Sequence, residues 1–264
     1  MQLNFLSNIQ ILEFDILKKY KNVVQFVTTR NGADLNDYFG GYNMSLMVND
    51  SEDQVTQNRQ NLAVALQVSP NNLYIPIQTH SDHIVTITEV NFSESLEDTD
   101  ALCTNVKNIC IATLAADCVP IILYDPINHC AATIHSGWKG TKKRILQKTI
   151  QQMRALYNTS STDLIVCIGP SISDSVYEVG NEVAEEFSYL KITERILVIK
   201  EHVNPEKKYL NIQQANILQA LELGVLPSNI ENAEICTFQN PDLLYSARYF
   251  KNKCGRFATG LVLK

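Results

Sequence analysis

Short apolar runs rich in Val, Ile and Thr, bounded by Asn, Asp, Gly and Pro, recur along the chain and predict strands. They cover residues 23–29, 73–78, 84–90, 109–114, 119–124, 130–135, 164–168, 196–199, 233–238 and 257–263. Between some of them the apolar spacing lengthens to that of a helix. Ser51 and Gln54 form a capping-box pattern ahead of a helix ending near Gln67. Ile145, Leu146, Thr149, Ile150, Met153 and Leu156 mark a second helix over about 141–157. Two more are predicted over 181–187 and 212–223. Hairpin-like pairs, such as the two runs flanking "DPINH", alternate with helical crossovers. That mixture predicts an α/β chain of the α+β type, with layered mixed β-sheets flanked by helices. No repeat, linker or low-complexity tract interrupts it, so residues 1–264 read as one domain.

Composition narrows the partners rather than the fold. A hydrophobic fraction of 45% and a charged fraction of 19% describe an ordinary globular protein. The formal charge of -6 argues against nucleic acid or an anionic membrane surface as partner, because both need a basic face. A small ligand is the better expectation. The N-terminal residues lack the cationic start, apolar centre and small-residue cleavage site of a signal peptide, and no apolar run approaches a membrane span. A cytoplasmic location is expected, and no feature of the pattern indicates an oligomeric state. The seven cysteines contain no CxxC pair and read as thiols. Five of them, Cys103, Cys110, Cys130, Cys167 and Cys236, lie in or beside apolar runs, where cysteine is a small core residue.

Candidate chemistry concentrates in "LAADCVPIILYDPINHCAATIHSGWKGT", residues 114–141. Here Asp117 and Cys118 open one strand, and His135 ends the next. His80 is expected at the C-terminal end of the strand over 73–78. Two imidazoles and a thiolate suit zinc, which takes four tetrahedral positions and leaves one open in a catalytic site. The wide spacing resembles no zinc finger. A second reading makes Cys118 a nucleophile deprotonated by His135, and a third makes it a core thiol between two strand-capping histidines. Asp117 is a candidate for proton transfer, for orienting an imidazole, or for a plain turn residue. His83 and His129 read as a bystander and a solvated turn residue.

Arg59 sits on the stripe Val55, Arg59, Leu62, Leu66 of the first helix. A guanidinium there needs a partner, either a structural carboxylate or a bound anion such as phosphate. The "SGWKGT" turn, with Lys139 and the cations after it, is a second anion-friendly element.

From "TTRNG" through "NRQNL", "QTHS", "TDAL", "ADCVPIILYDP", "IHSGWKGT", "IGPSI" and "YEVG" to "CGRFATGLVL", the chain resembles the YfiH family. These are the zinc-dependent purine nucleoside phosphorylases once labelled multicopper polyphenol oxidases or laccase-domain proteins. The resemblance implies the layered mixed-sheet fold of YfiH and of the related cytotoxic-necrotizing-factor-like hydrolases. By it, His80, Cys118 and His135 fall on the family's three metal ligands, with zinc as the ion and copper not favoured. It further implies phosphorolysis of adenosine, inosine, guanosine and methylthioadenosine, and adenosine deamination. Nucleoside and phosphate are then the ligands, with Arg59 and Lys139 as expected phosphate contacts and Asp117 as the expected acid/base. The alternative is a Cys-His amidohydrolase editing a cell-wall precursor. The chain departs from the family pattern at Ala33, Ser81, Lys139 and "ARYFKNKCGR", which bears on substrate more than on metal.

Overall fold

The computed structural model of the protein describes residues 1–90, 92–251 and 253–264. It runs β1 (Gln2–Leu6), β2 (Ile9–Glu13), β3 (Val23–Thr28), α1 (Glu52–Leu66), β4 (Leu73–Tyr74), β5 (Ile84–Ile87), β6 (Ala101–Thr104), β7 (Cys110–Ala115), β8 (Val119–Asp125) and β9 (Cys130–Ser136). There follow α2 (Trp138–Lys142), α3 (Ile145–Tyr157), β10 (Ile165–Ile168), β11 (Glu178–Gly180), α4 (Asn181–Glu185), α5 (Ile192–Val198), β12 (Ile199–Glu201), β13 (Lys207–Leu210), α6 (Ile212–Glu222), β14 (Ile230–Asn232) and β15 (Phe257–Leu263).

Two six-stranded sheets have the orders β1-β2-β3-β15-β7-β4 and β14-β10-β8-β9-β6-β5, beside a small sheet β11-β13-β12. Both large sheets are mixed: β4 with β7, β5 with β6 and β10 with β14 are parallel, and the other pairs are antiparallel. Side-chain alternation explains how they stack. Val119, Ile121 and Leu123 of β8 join Ile145 and Ile150 of α3 and Ala215 of α6. Ile122 and Tyr124 turn the other way, to Val27, Ile111 and Leu261 of the first sheet. Strands covered on both faces must be apolar throughout, which is why β8 and β9 read as continuous runs. Outside the first sheet, Leu62, Ala63 and Leu66 of α1 pack on Phe26, Ala112 and Val262. The layers are therefore helix, sheet, sheet, helix, the α+β arrangement expected. Among the described residues no helix is long and apolar enough to cross a membrane.

Helix α1 follows its sequence signals closely. Ser51 Oγ accepts from Gln54 N, and Gln67 closes the helix in the left-handed region. Only half the capping box forms, because the Gln54 amide donates to Asn58 instead. Other expectations are corrected. Residues 196–199 fall mostly in helix α5, whose start is tied by the Glu194 carboxylate accepting from Lys191 N. Residues 233–238 make only an isolated bridge, Ser171 to Cys236. The helix expected over 141–157 is two helices, broken where Arg144 adopts φ 61°. The strand over 73–78 ends at Tyr74, since Pro76 has no N–H to pair. Beyond it the Gln78 amide replaces the ladder, donating to Leu114 O and accepting from Leu114 N.

Candidate metal centre

The pairing of the second sheet brings distant residues to one edge. Strand β9 is antiparallel to both β8 and β6, with Pro120 opposite His135 and Ala101 opposite Ile134. Strand β5 runs parallel to β6. The starts of β5, β6 and β8 therefore meet the end of β9, gathering His80, Asp100, Cys118 and His135. The ligand atoms of His80, Cys118 and His135 all lie within 4.8 Å of one another, and Cys118 Sγ is 3.7 Å from His80 Nε2. Bonds of roughly 2.0–2.3 Å to a tetrahedral ion place its ligand atoms about 3.5 Å apart, so these donors fit such an ion with little adjustment. His80 is not at a strand end as expected; it lies on the irregular segment ahead of β5, with φ 63°.

Asp100 organises this edge, a role that its place in the "TDAL" motif does not announce. The residue is fully buried. Its Oδ1 accepts from His135 Nδ1 at 2.7 Å and from His80 N at 3.2 Å. Its Oδ2 accepts from Thr79 N, Ser81 N and Ser81 Oγ at 3.1, 2.7 and 2.8 Å. One carboxylate thus fixes both the backbone that carries His80 and the ring of His135. Because His135 donates through Nδ1, Nε2 is left as its ligand atom, the carboxylate–histidine arrangement common behind metal ligands. Burial alone pushes the Asp100 carboxyl up, but the hydrogen bond and charge of His135 and the Ser81 donors outweigh it and hold it near about 2. Ser81 supplies two of those donors, its backbone N–H and its hydroxyl, and a glycine there would keep only the first.

The ligand pair is polarised in the same sense. Burial opposes charge on both groups, yet the His135 imidazolium holds the Cys118 thiol well below the ordinary thiol range. Burial likewise pulls His135 down, and the Cys118 charge with the Asp100 hydrogen bond raises it. Cys118 is the one half-buried cysteine; the other six are buried, free thiols. A thiolate poised beside two imidazoles is suited to a divalent ion and equally to nucleophilic attack.

The centre opens into a cleft of about 830 Å³, walled by Ser45, Met47, Tyr177, Arg248, Lys251 and Arg256 among others. Asp117 lines it too, at φ 89°, an uncommon conformation for a residue other than glycine. Its Oδ1 accepts from Thr237 Oγ1 and its Oδ2 from Arg248 N, both at 2.6 Å. Lys139 faces elsewhere: it stands over the Trp138 ring and lines a separate hollow that shares only His80 with the cleft. Arg59 forms no ion pair with a carboxylate among the described residues. Its Nε donates to Met44 O, burial lowers its pKa to about 10, and the middle of the buried stripe is occupied by Asn58. Arg59 so braces the backbone that leads into Ser45 and Met47. His83 approaches Thr99 Oγ1, away from the triad. His129 is no solvated turn residue: it contacts Asn22, Tyr124 and the Lys264 carbonyl.

Gly137 is required by proximity rather than by φ. A Cβ built there meets His80 Cδ2 at 2.8 Å and Cys118 Sγ at 3.0 Å. We expect Gly137→Ala to fold, since its backbone conformation at the start of α2 is open to alanine. It should weaken metal affinity by about tenfold or more by forcing two ligands apart. Chelator competition beside a thermal melt of the metal-free protein checks this; unaltered affinity contradicts it.

Residues 24–264 match the family described as multi-copper polyphenol oxidoreductase laccase. The chain is 34% identical over 262 residues to a purine nucleoside phosphorylase of Bacteroides thetaiotaomicron, covering 96% of each chain. It is 32% identical to adenosine deaminase RL5 of an unknown prokaryotic organism, covering 97% of this chain and 100% of that one. The crystal structure of the hypothetical protein YfiH of Bacillus licheniformis superposes with a TM-score of 0.90 at 26% identity, over 99% of both chains. The chain therefore belongs to the family described as multi-copper polyphenol oxidoreductase laccase, and its fold is that of YfiH.

Proposed function

We propose that the protein is a zinc-dependent purine nucleoside phosphorylase that also deaminates adenosine. The observation that carries this reading is the His80–Cys118–His135 triad set in a cleft of about 830 Å³, large enough for a nucleoside. The names of the phosphorylase and deaminase relatives support the substrate class. A thiolate with two imidazoles favours zinc, with one coordination position left for water or substrate. Bound there, the ion would supply Lewis acidity and water of lowered pKa.

The chain's own residues supply the rest. Asp100 keeps His135 in one tautomer and orientation. Asp117, the acidic side chain on the cleft, would move a proton during deamination; the hydrogen bonds that it accepts from Thr237 Oγ1 and Arg248 N, which fix its direction, support that reading. In phosphorolysis a phosphate oxygen bonds to ribose C1′ as the C1′–N9 bond breaks. The bonding pair leaves with the purine, which takes up a proton, and ribose 1-phosphate is released. A metal-free amidohydrolase is the second reading, favoured by one observation: Cys118, His135 and Asp100 are linked in the order nucleophile, base, orienting carboxylate.

Metal-analysed protein incubated with a nucleoside panel, with and without phosphate, tests the choice by product mass. Free base with ribose 1-phosphate and inosine from adenosine are expected, and require stoichiometric zinc. Metal-independent hydrolysis with no phosphate-dependent product favours the amidohydrolase. No intrinsic laccase activity is expected, because a blue-copper centre with a trinuclear cluster needs more imidazoles than this site presents. Among the five histidines of the chain only His80 and His135 face the cleft. Rapid phenol oxidation by protein carrying several tightly held coppers would overturn that expectation.

A further inference from the structure

The cleft beside the triad carries three cations, Arg248, Lys251 and Arg256, and none of them forms an ion pair among the described residues. In a chain of formal charge -6, such clustering on one wall is a specific arrangement. The acidic side chain of the same wall, Asp117, offers no counter-ion contact to the three side-chain charges: its oxygens accept from Thr237 Oγ1 and from the Arg248 backbone.

Arg248 and Arg256 are each held by contacts to neighbouring elements. Arg248 lies over the Tyr177 ring, 5.5 Å from its centroid, and donates to Glu178 O at 3.2 Å. Arg256 Nη1 donates to Cys254 O and Gly255 O, while Arg256 N donates to Asn43 Oδ1 and Arg256 O accepts from Met44 N. Beneath them Arg30, fully buried, donates to Pro241 O, Asp34 O and Asp37 O and lies within 5.4 Å of the Tyr245 and Phe250 rings. Cations preplaced on a cleft wall without counter-ions raise the local concentration of anions and bind a tetrahedral oxyanion through charge-assisted hydrogen bonds.

We propose that Arg248, Lys251 and Arg256 form the oxyanion subsite of the cleft and that its occupant is free orthophosphate, the second substrate. The proposal rests on the phosphorolysis reading and moves the phosphate contact from Arg59 and Lys139 to the segment after Ser246. Phosphate held on this wall shares one cleft with the triad and with a nucleoside, as transfer to C1′ requires. The 5′-phosphate of a nucleotide has the same chemistry, so nucleotide binding is measured in parallel.

The test is titration calorimetry of inorganic phosphate into the metal-loaded protein, beside steady-state kinetics. Arg256→Gln and the double variant Arg248→Gln/Lys251→Gln should each weaken phosphate binding by about tenfold or more. They should raise KM for phosphate by a similar factor, with KM for nucleoside changing by less than about threefold. Phosphorolysis should fall more than deamination, which consumes no phosphate. Lys148→Gln, whose lysine pairs with Asp82 outside the cleft, is the control and should leave phosphate binding unaltered. Melting and metal content show whether each variant folds; if Arg256→Gln does not, the double variant, whose side chains are both exposed, carries the test. Absence of phosphate binding to the wild type, or equal binding by the variants, overturns the subsite. Binding of AMP or IMP that is tight and variant-sensitive where free phosphate is not overturns orthophosphate as the occupant. Variant-sensitive phosphate binding without any phosphorolysis leaves the subsite standing and removes the phosphorylase reading.

Discussion

Cys118→Ala is expected to lose metal and turnover together. A ligand thiolate supplies both negative charge and a short bond, and without it two imidazoles hold a divalent ion weakly. Metal content measured after gel filtration should fall below roughly one-tenth of an ion per chain, and turnover by about a thousandfold or more. The fold should survive, because the side chain is only half-buried at the edge of β8. A nucleophilic cysteine behaves differently: the variant would keep its metal and yet be inactive. That outcome would replace the zinc reading with the Cys-His hydrolase.

Asp100→Asn is expected to damage both stability and the metal centre. The carboxylate accepts from donors of four residues converging on two oxygens: Thr79, His80, Ser81 and His135. An amide turns one of those acceptors into a donor, so at least one buried N–H faces another. Breaking a buried, charge-bearing network of this kind costs about 3–5 kcal/mol. Affinity for metal should fall by about 10–100-fold as His135 loses its orienting partner. The pH dependence follows from the same residue. Its carboxyl is depressed from 3.8 to about 2 in the folded state, so in metal-free protein it contributes stability above pH 4 that is lost as pH falls toward about 2. The difference corresponds to roughly 2 kcal/mol, and the variant should lack that part of the acid-side decline. Urea melts of the metal-free wild type and variant between about pH 2 and 6 measure it. Wild-type melting and metal affinity in the Asp100→Asn variant would show that the carboxylate is incidental.

Taken together, the two variants separate roles that adjoin in space. Cys118 lines the cleft itself, whereas Asp100 reaches it through His135 and the backbone of His80. Metal in excess should restore much of the Asp100→Asn turnover and none of the Cys118→Ala turnover.

Local sequence determined a good deal of this protein. Helix α1 begins and ends at its own signals, Ser51 and Gln67, because capping depends on atoms within a few residues. The continuous apolar runs of β8 and β9 announced strands buried on both faces, since sheet burial leaves no room for a polar side. His80, Cys118 and His135 stood out by residue type and by resemblance, and the sheet registers bring them together. Other features depended on the tertiary structure, because their partners lie far along the chain. The stripe marked Arg59 as a cation in need of a partner, and only the fold shows that its Nε donates to Met44 O, 15 residues away. Pro76 ends the strand expected over 73–78 locally, but that the Gln78 side chain then takes over the pairing depends on Leu114, 36 residues on. Asp100 is one acid among the 28 acidic residues of the sequence until β6 and β9 pair and set it against His135. Arg248, Lys251 and Arg256 line one cleft with the triad only in the folded chain, more than 100 residues from Cys118 and His135 in sequence. Periodicity and capping are written in neighbouring residues, whereas the chemistry of this cleft arises from charges and donors that only the packing of two sheets brings within hydrogen-bond distance.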